Sequence, residues 1–216
     1  MIRPFLRFLL SAALVAGLAG CARHKDEGPV AASVIGDTPQ RADPNRGPLP
    51  APDAVLLGAT AQGLVRFDAV GQIEPGIASR WDVSADGFYF TFRIDEDSGI
   101  DSAHAAHVLR EAIAPRSRNP LKPLLGAIQE IVAVTPEVVE IQMRAPRPGL
   151  LELLARPELA IETKQGGTGP FRVKGRKDGA LLLQPIAIPG EEPDQAELKR
   201  RQVHLRGEPA DRAVAR

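Results

Sequence analysis

The chain has 216 residues, which is enough for one domain or for one domain and part of a second. Hydrophobic residues make up 44% and charged residues 25%, and this ordinary globular composition excludes a disordered or collagen-like chain. The 27 basic residues balance 27 acidic ones, so no positive excess is available for phosphates and we expect no nucleic-acid partner. A single cysteine excludes an intramolecular disulfide and a multi-cysteine metal site.

The first twenty residues have the layout of a secretory signal peptide. Arg3 and Arg7 provide a positive start, and an apolar stretch follows from Phe8 to Leu18. This stretch is shorter than the ~20 apolar residues that a membrane-spanning helix needs. We therefore assign residues 1–20 to a signal peptide that is removed, which leaves 25 basic and 27 acidic residues in the mature chain.

The predicted signal ends in Leu18-Ala19-Gly20-Cys21, which resembles the lipobox of bacterial lipoproteins. The resemblance implies that the Cys21 thiol receives diacylglycerol and that the new amino terminus is acylated, with palmitate among the acyl chains. Several acyl chains anchor a protein stably, whereas one chain binds a membrane only reversibly. Ala22 stands where inner-membrane lipoproteins commonly carry aspartate, so it favours the outer membrane of a Gram-negative host. The alternative is an ordinary buried cysteine that follows an uncleaved apolar helix.

The mature chain is predicted to begin with a flexible tether, residues 21–32, because this stretch is polar and contains glycine and proline. The domain itself is assigned to residues 33–216. A short apolar run at Val30–Ile35 predicts a first strand. Five prolines within residues 39–52 exclude a regular helix or a central strand there, and a short helix is predicted over residues 54–62.

The clearest strand signal lies at residues 88–94, where apolar and polar side chains alternate. The apolar face consists of Phe88, Phe90, Phe92 and Ile94. Asp86-Gly87 predicts a turn just before this strand, and Trp81-Asp82-Val83 predicts the partner strand of a hairpin. Because the phenylalanines follow the period of a strand, we interpret them as core side chains rather than as a ligand platform.

Ser102–Ala114 predicts a helix that Asp101 or Ser102 can cap and that Pro115 ends. Its apolar face consists of Ala105, Val108, Leu109 and Ala112. His104 and His107 lie three residues apart on this helix, a spacing that can bring two imidazoles to one metal ion. A stable site needs three or four ligands, so we interpret both as exposed helix histidines and expect no metal.

Residues 128–134 and 138–144 flank a turn and predict a second hairpin, and a leucine-rich helix is predicted from Pro148 to Pro157. Further elements are predicted as strands at residues 171–173, 181–183 and 202–206 and as a helix at residues 209–216.

Lys164–Lys177 combines glycines with basic residues but lacks the residue order of a P-loop, so we interpret it as a turn-rich connection between strands. Strands in hairpins with single helices between them predict a mixed α/β fold.

Several short motifs follow one another along this pattern. They are Gly63-Leu64-Val65, Pro75-Gly76-Ile77-Ala78, Trp81 with Ser84 and Asp86-Gly87, the helix Ser102–Ile113, Ala145-Pro146 with Leu150–Ala155, and Gly167-Thr168-Gly169-Pro170-Phe171. Their order resembles the family 5 extracytoplasmic solute-binding proteins, the peptide, oligopeptide and nickel receptors of ABC importers. Asp97-Ser98-Gly99 departs from the family, which has an aspartate-glycine there.

The resemblance implies a class II periplasmic-binding-protein-like fold, of which residues 33–216 cover most of the first lobe. It implies a lipid-anchored, periplasmic substrate-binding component of an ABC importer for peptides or similar solutes, with a permease as partner and no cofactor. Members of the family close two lobes on the ligand, and the second lobe has no counterpart here. We therefore expect weak ligand affinity for this chain alone, and we assign no individual ligand-binding residue.

Two alternatives belong to other functional classes. A degenerate one-lobed envelope lipoprotein would act as a structural or interaction partner, and it would expose an apolar strip on the face of the missing lobe. An envelope enzyme would need a clustered acid–base site. The sequence contains neither a Gly-x-Ser-x-Gly elbow nor a His-Glu-x-x-His motif, so we expect no enzyme.

Overall fold

The computed structural model describes residues 28–163, 166–186 and 194–213. The predicted signal peptide and the predicted lipidation site, Cys21, lie outside these ranges. The strands are, in chain order, β1 (Val30–Ile35), β2 (Val65–Phe67), β3 (Ile73–Pro75), β4 (Ala78–Val83), β5 (Tyr89–Ile94), β6 (Ile128–Thr135), β7 (Val138–Met143), β8 (Glu162–Thr163), β9 (Gly166–Gly167), β10 (Phe171–Lys177), β11 (Ala180–Pro185) and β12 (Val203–Glu208). The helices are α1 (Ala51–Thr60), α2 (Ser102–Ile113), α3 (Leu150–Leu154), α4 (Gln195–Arg200) and α5 (Ala210–Ala213). This alternation confirms the mixed α/β fold class.

The first sheet has the strand order β1-β12-β11-β10. β1 runs parallel to β12, with Val30 opposite Val203 and Ile35 opposite Glu208, whereas β11 is antiparallel to both of its neighbours. Helix α1 packs on this sheet. The small core between them consists of Leu56, Leu181, Leu183 and Leu205. The sheet therefore joins the beginning of the described chain to its end.

The second sheet has the strand order β4-β5-β7-β6, and all of its strands are antiparallel to their neighbours. Helix α2 packs against β6 and β7. Large side chains that are fully buried in this core include Phe92, Ile77, Ile141, Met143, Leu150 and Leu154. Phe90 and Ile94 are also buried and Phe88 is half-buried, which confirms that the alternating phenylalanines form core rather than surface.

Helix α2 forms as its sequence predicts. The Asp101 carboxylate accepts a hydrogen bond from the backbone N–H of His104 at 2.7 Å and so satisfies a donor of the first turn. Buried positions on the helix include Ala105, Leu109 and Ala112, while Val108 is half-buried. The helix stops at Ile113, one residue before the predicted end and two before Pro115.

The proline-rich stretch corrects one prediction. A regular helix was excluded over residues 39–52, but α1 begins at Ala51 and holds Pro52 in its first turn. Proline is accepted there because the first N–H groups of a helix have no partner within the helix. A 3₁₀ turn also forms at Pro44–Arg46. Residues 39–43 and 47–50 have neither helix nor strand, as expected of the proline-rich sequence.

The tether boundary is a second correction. Residues 30–32 were assigned to the flexible tether, but they belong to β1 and pair with β12 from Val203 to Leu205. Sequence reasoning also missed α4 and the two-stranded pairing of β8 with β9. Of these, only the pairing of β1 with β12 joins distant parts of the chain, since β8 and β9 are neighbours in sequence and Asp194 caps α4 locally. In the described part of the chain, every helix is too short or too polar to cross a membrane.

Candidate functional site

The residues that follow β1 form the strap, residues 37–49. The strap packs against α2 and against a 3₁₀ turn at Pro157–Leu159. Gln40 N–H ties the strap to α1 by donating to the Asp53 carboxylate at 2.7 Å, and within the strap Asn45 N–H donates to the Asp43 carboxylate at 2.9 Å. Asp43 therefore caps the 3₁₀ turn within the strap, as aspartates do at such positions.

A buried polar network joins the strap to the loop that follows α2. Asn119 is only 2% exposed, and its Nδ2 donates to Asn45 Oδ1 at 3.1 Å and to the Glu158 carbonyl at 2.8 Å. Its Oδ1 accepts the backbone N–H of Leu121 at 3.0 Å. Ser117, 8% exposed, donates to Asn45 Oδ1 at 3.3 Å. The satisfied network holds three separate segments in one arrangement.

Three neighbouring cavities have Arg41 and Ala42 in their walls, and we call them together the Arg41 groove. One cavity of about 340 Å³ lies between the strap and helix α2. A second of about 220 Å³ lies between α1 and β10, and a third of about 440 Å³ follows the strap itself toward Leu49. The groove therefore lies where the strap, both long helices and β10 of the first sheet come close together.

The groove is divided by an ion pair. Arg41 Nη2 lies 2.9 Å from Glu162 Oε2, and Arg41 Nε lies 3.2 Å from the same oxygen. The Arg41 side chain is 63% exposed and the Glu162 side chain 27%. A pair this exposed contributes only about 0–1 kcal/mol to stability. Its geometry is more informative, because it places a cation and an anion side by side at the boundary between the first two cavities.

The floor of the 340 Å³ cavity is apolar. Leu57, Leu109 and Leu159 line it and are 5%, 3% and 2% exposed, respectively. Charged groups from Arg41 and Glu162 stand at the same cavity. An apolar cavity with a few polar groups in fixed places is the usual form of a site for a small organic molecule.

The two predicted histidines have different surroundings. His107 is exposed, as expected, but His104 is half-buried and its Nε2 lies 2.7 Å from the Glu162 carbonyl oxygen. The interpretation of both histidines as exposed was therefore wrong for His104. Its ring connects α2 to Glu162 of β8, the residue whose carboxylate pairs with Arg41. Among the described residues, no group of three or more histidine, cysteine, aspartate or glutamate side chains has the arrangement of a metal site.

The glycine-rich step within Lys164–Lys177 packs against the end of α1. A Cβ atom on Gly167 would lie 1.8 Å from the Thr60 carbonyl oxygen, so only glycine permits this approach. Thr168 Oγ1 donates to the Ile161 carbonyl at 2.8 Å and accepts the Gln62 N–H at 3.1 Å. The predicted turn-rich connection is limited to residues 168–170 between β9 and β10, since Phe171–Lys177 is a strand, and residues next to this turn line the 220 Å³ cavity.

The comparisons with known proteins identify the fold. No model of a protein family matches the chain, and no curated protein matches it either. Solved structures do match. The mannopinic acid complex of the PBP/SBP MoaA from A. tumefaciens R10 is 22% identical with a TM-score of 0.68, over 86% of this chain and 42% of that one.

Two further solved structures are similar over the same extent. The Escherichia coli murein tripeptide binding protein MppA is 18% identical with a TM-score of 0.67, over 84% of this chain and 42% of that one. The substrate-binding domain of an oligopeptide ABC transporter from Bacillus anthracis is 14% identical with a TM-score of 0.65, over 82% of this chain and 41% of that one.

These matches confirm the fold expected from the sequence. The chain spans about two fifths of the length of the solved proteins that it matches, so it has the fold of one part of a substrate-binding protein. The neighbours named above are binding proteins, and two of them bind or transport peptides by name.

Proposed function

We propose that this chain is part of the substrate-binding component of an ABC-type importer for peptides or similar organic solutes, and that it is not an enzyme. The observation that supports this proposal is the fold, which matches binding proteins with TM-scores of 0.65 to 0.68 over 82–86% of the chain. Binding proteins of this kind capture ligand by hinge closure, in which the free energy of binding favours the closed form.

The Arg41 groove is the place where this chain contacts ligand in our proposal. A peptide carries both hydrogen-bonding backbone groups and side chains of varied polarity. Arg41 and Glu162 offer a donor and an acceptor side by side, and the leucine floor accepts an apolar side chain. Part of a two-lobed fold supplies only part of the ligand contacts, so affinity for this chain alone is expected in the millimolar range or weaker.

Nuclear magnetic resonance titration tests this proposal, because it detects weak binding and locates it. The chain from residue 22 onward is titrated with short peptides that carry leucine or phenylalanine. Chemical-shift changes are expected at the groove and are expected to be lost in Arg41→Gln/Glu162→Gln, which leaves the net charge unchanged. The matched control is Arg93→Gln/Glu137→Gln, because this pair is also partly exposed, is 2.7 Å long and lies away from the groove, between β5 and the turn that joins β6 to β7.

Two results would contradict the proposal at different points. If millimolar peptide produces no shift at the groove, or if the control variant loses the shifts equally, the groove is not the ligand site. If the isolated chain binds peptide with micromolar affinity, the groove is a complete site and the expectation of a partial one is wrong.

We also propose that Cys21 is lipidated and anchors the chain in the periplasm. The support is the lipobox resemblance of Leu18-Ala19-Gly20-Cys21 together with the chain's only cysteine. Radiolabelled palmitate is expected to attach to the full chain expressed in a Gram-negative host and not to Cys21→Ser. With Ala22 in place the anchor is expected in the outer membrane, and Ala22→Asp is expected to move it to the inner membrane. Absence of label in the unaltered chain refutes the anchor.

A further inference from the structure

Charge is distributed unevenly along this neutral chain. Residues 28–163 contain 18 acidic and 12 basic side chains, whereas residues 163–177 contain five basic side chains and no acidic one. Four of these five lie on β10, and we call them the basic edge, which consists of Arg172, Lys174, Arg176 and Lys177. The first sheet thus carries a concentrated positive charge at β10, while the remainder of the described body is acidic.

The basic edge is open to solvent. β10 is the outermost strand of its sheet, with β11 as its single neighbour. Lys174, Arg176 and Lys177 are exposed, and a register shift between Val173 and Gly175 leaves Lys174 without a partner residue on β11. Among the described residues, these three side chains form no ion pair, although seven arginines elsewhere in the described ranges do. Asp178 follows Lys177 directly, but it is one negative charge beside three positive ones, so the edge keeps a net positive charge.

Strand register places the basic edge near the start of the domain. Val30 lies opposite Val203, which lies opposite Leu183, and Leu183 lies opposite Val173. β1 and β10 are the two outer strands of the sheet and lie three strand spacings of ~4.8 Å apart, so Val30 is about 14 Å from Val173. Arg176 is level with Ala32 and therefore lies a few ångströms farther from Val30. Residues 21–29 can extend at most ~30 Å, so a lipid on Cys21 would keep the basic edge close to the membrane.

We propose that the basic edge binds the anionic phospholipid headgroups of the membrane and so orients the anchored domain, with β10 against the bilayer and the acidic body away from it. This inference rests on the proposed lipid anchor for its biological setting, whereas the affinity of the basic edge for headgroups is a property of the domain itself. Basic side chains next to an anionic surface each strengthen binding about fivefold. The attraction acts within about 10 Å at moderate salt, a distance that the short tether permits.

The test uses the unlipidated chain, from residue 22 onward, and large unilamellar vesicles. Sedimentation is measured with vesicles of phosphatidylcholine alone and of phosphatidylcholine with phosphatidylglycerol, at low and high salt. Binding is expected only with phosphatidylglycerol and is expected to fall as salt rises. Lys174→Gln/Arg176→Gln/Lys177→Gln is expected to weaken it on the order of 100-fold at low salt. The matched control, Arg46→Gln/Arg80→Gln/Arg118→Gln, removes three exposed charges elsewhere and is expected to retain binding within a few-fold.

Three outcomes would overturn this inference. One is binding that does not depend on phosphatidylglycerol, and another is an equal loss in the control variant, which would indicate a general charge effect. The third is displacement by glycerol phosphate at constant ionic strength, which would indicate a discrete phosphate site. If palmitate does not label the chain, the lipid anchor is refuted but the vesicle result still stands. If the vesicles do not bind the chain, the basic-edge proposal is refuted, while lipidation and peptide binding remain open to their own tests.

Discussion

Replacement of Asn119 by leucine tests whether the buried polar network holds the strap in place. Leucine has the same number and branching of side-chain heavy atoms as asparagine and bulkier ends, so Asn119→Leu leaves no cavity but removes three side-chain hydrogen bonds, to Asn45, to the Glu158 carbonyl and from the Leu121 N–H. Each bond contributes about 1 kcal/mol, and the groups left behind are buried, so the free energy of unfolding is expected to fall by about 3 kcal/mol. For a chain of this size the melting temperature falls on the order of 10 °C.

Urea denaturation of the chain from residue 22 onward measures this loss, and the midpoint is expected to fall while the slope stays unchanged. Gln129→Leu is the matched control, because it removes an amide from an exposed position on β6 and is expected to change stability by less than about 0.5 kcal/mol. A loss below about 1 kcal/mol for Asn119→Leu would refute the reasoning, since it would mean that water replaces the network at little cost.

Three further predictions concern the core, the glycine step and pH. Phe92→Ala is expected to lower the free energy of unfolding by about 4 kcal/mol because Phe92 is fully buried, and an equal loss in half-exposed Tyr89→Ala would contradict the core assignment. Gly167→Ala is expected to cost about 3 kcal/mol in urea denaturation, whereas Gly175→Ala, which has open space, is expected to be nearly neutral. The Ser84 hydroxyl and the Phe88 N–H lower the pKa of Asp86, so their contribution is full at neutral pH and disappears as the pH falls through that lowered pKa. The melting-temperature difference between the unaltered chain and Asp86→Asn is therefore expected to shrink in acid, and a difference that stays constant would rule this contribution out.

The two proposed binding surfaces are expected to differ in how strongly salt weakens their binding. The Arg41 groove combines an apolar floor with one ion pair, which suits a small molecule held by contact and hydrogen bonds. Three cations of the basic edge, Lys174, Arg176 and Lys177, are exposed, which suits a surface held by charge. Salt should therefore weaken vesicle binding far more than peptide binding.

Local patterns along the sequence were sufficient for most of the secondary structure. Alternation of side chains predicted β5 and its hairpin with β4, because a strand with one buried face shows this period whatever lies around it. Asp101 and Pro115 marked the ends of α2 to within one or two residues, because caps and prolines act on neighbouring backbone groups. The glycine-threonine-glycine step was identified through the family resemblance, and its close approach to Thr60 became visible only in the tertiary structure.

The candidate site was decided by the tertiary structure alone. Arg41 and Glu162 are 121 residues apart in the chain, and Asn45 and Asn119 are 74 apart, so neither pair follows from any local period. As single residues, all four have the polarity of ordinary solvated loop positions, and only packing shows that one of them is almost fully buried. The parallel pairing of β1 with β12 has the same origin, because a hydrogen-bonded ladder between distant strands forms only once the chain between them has folded.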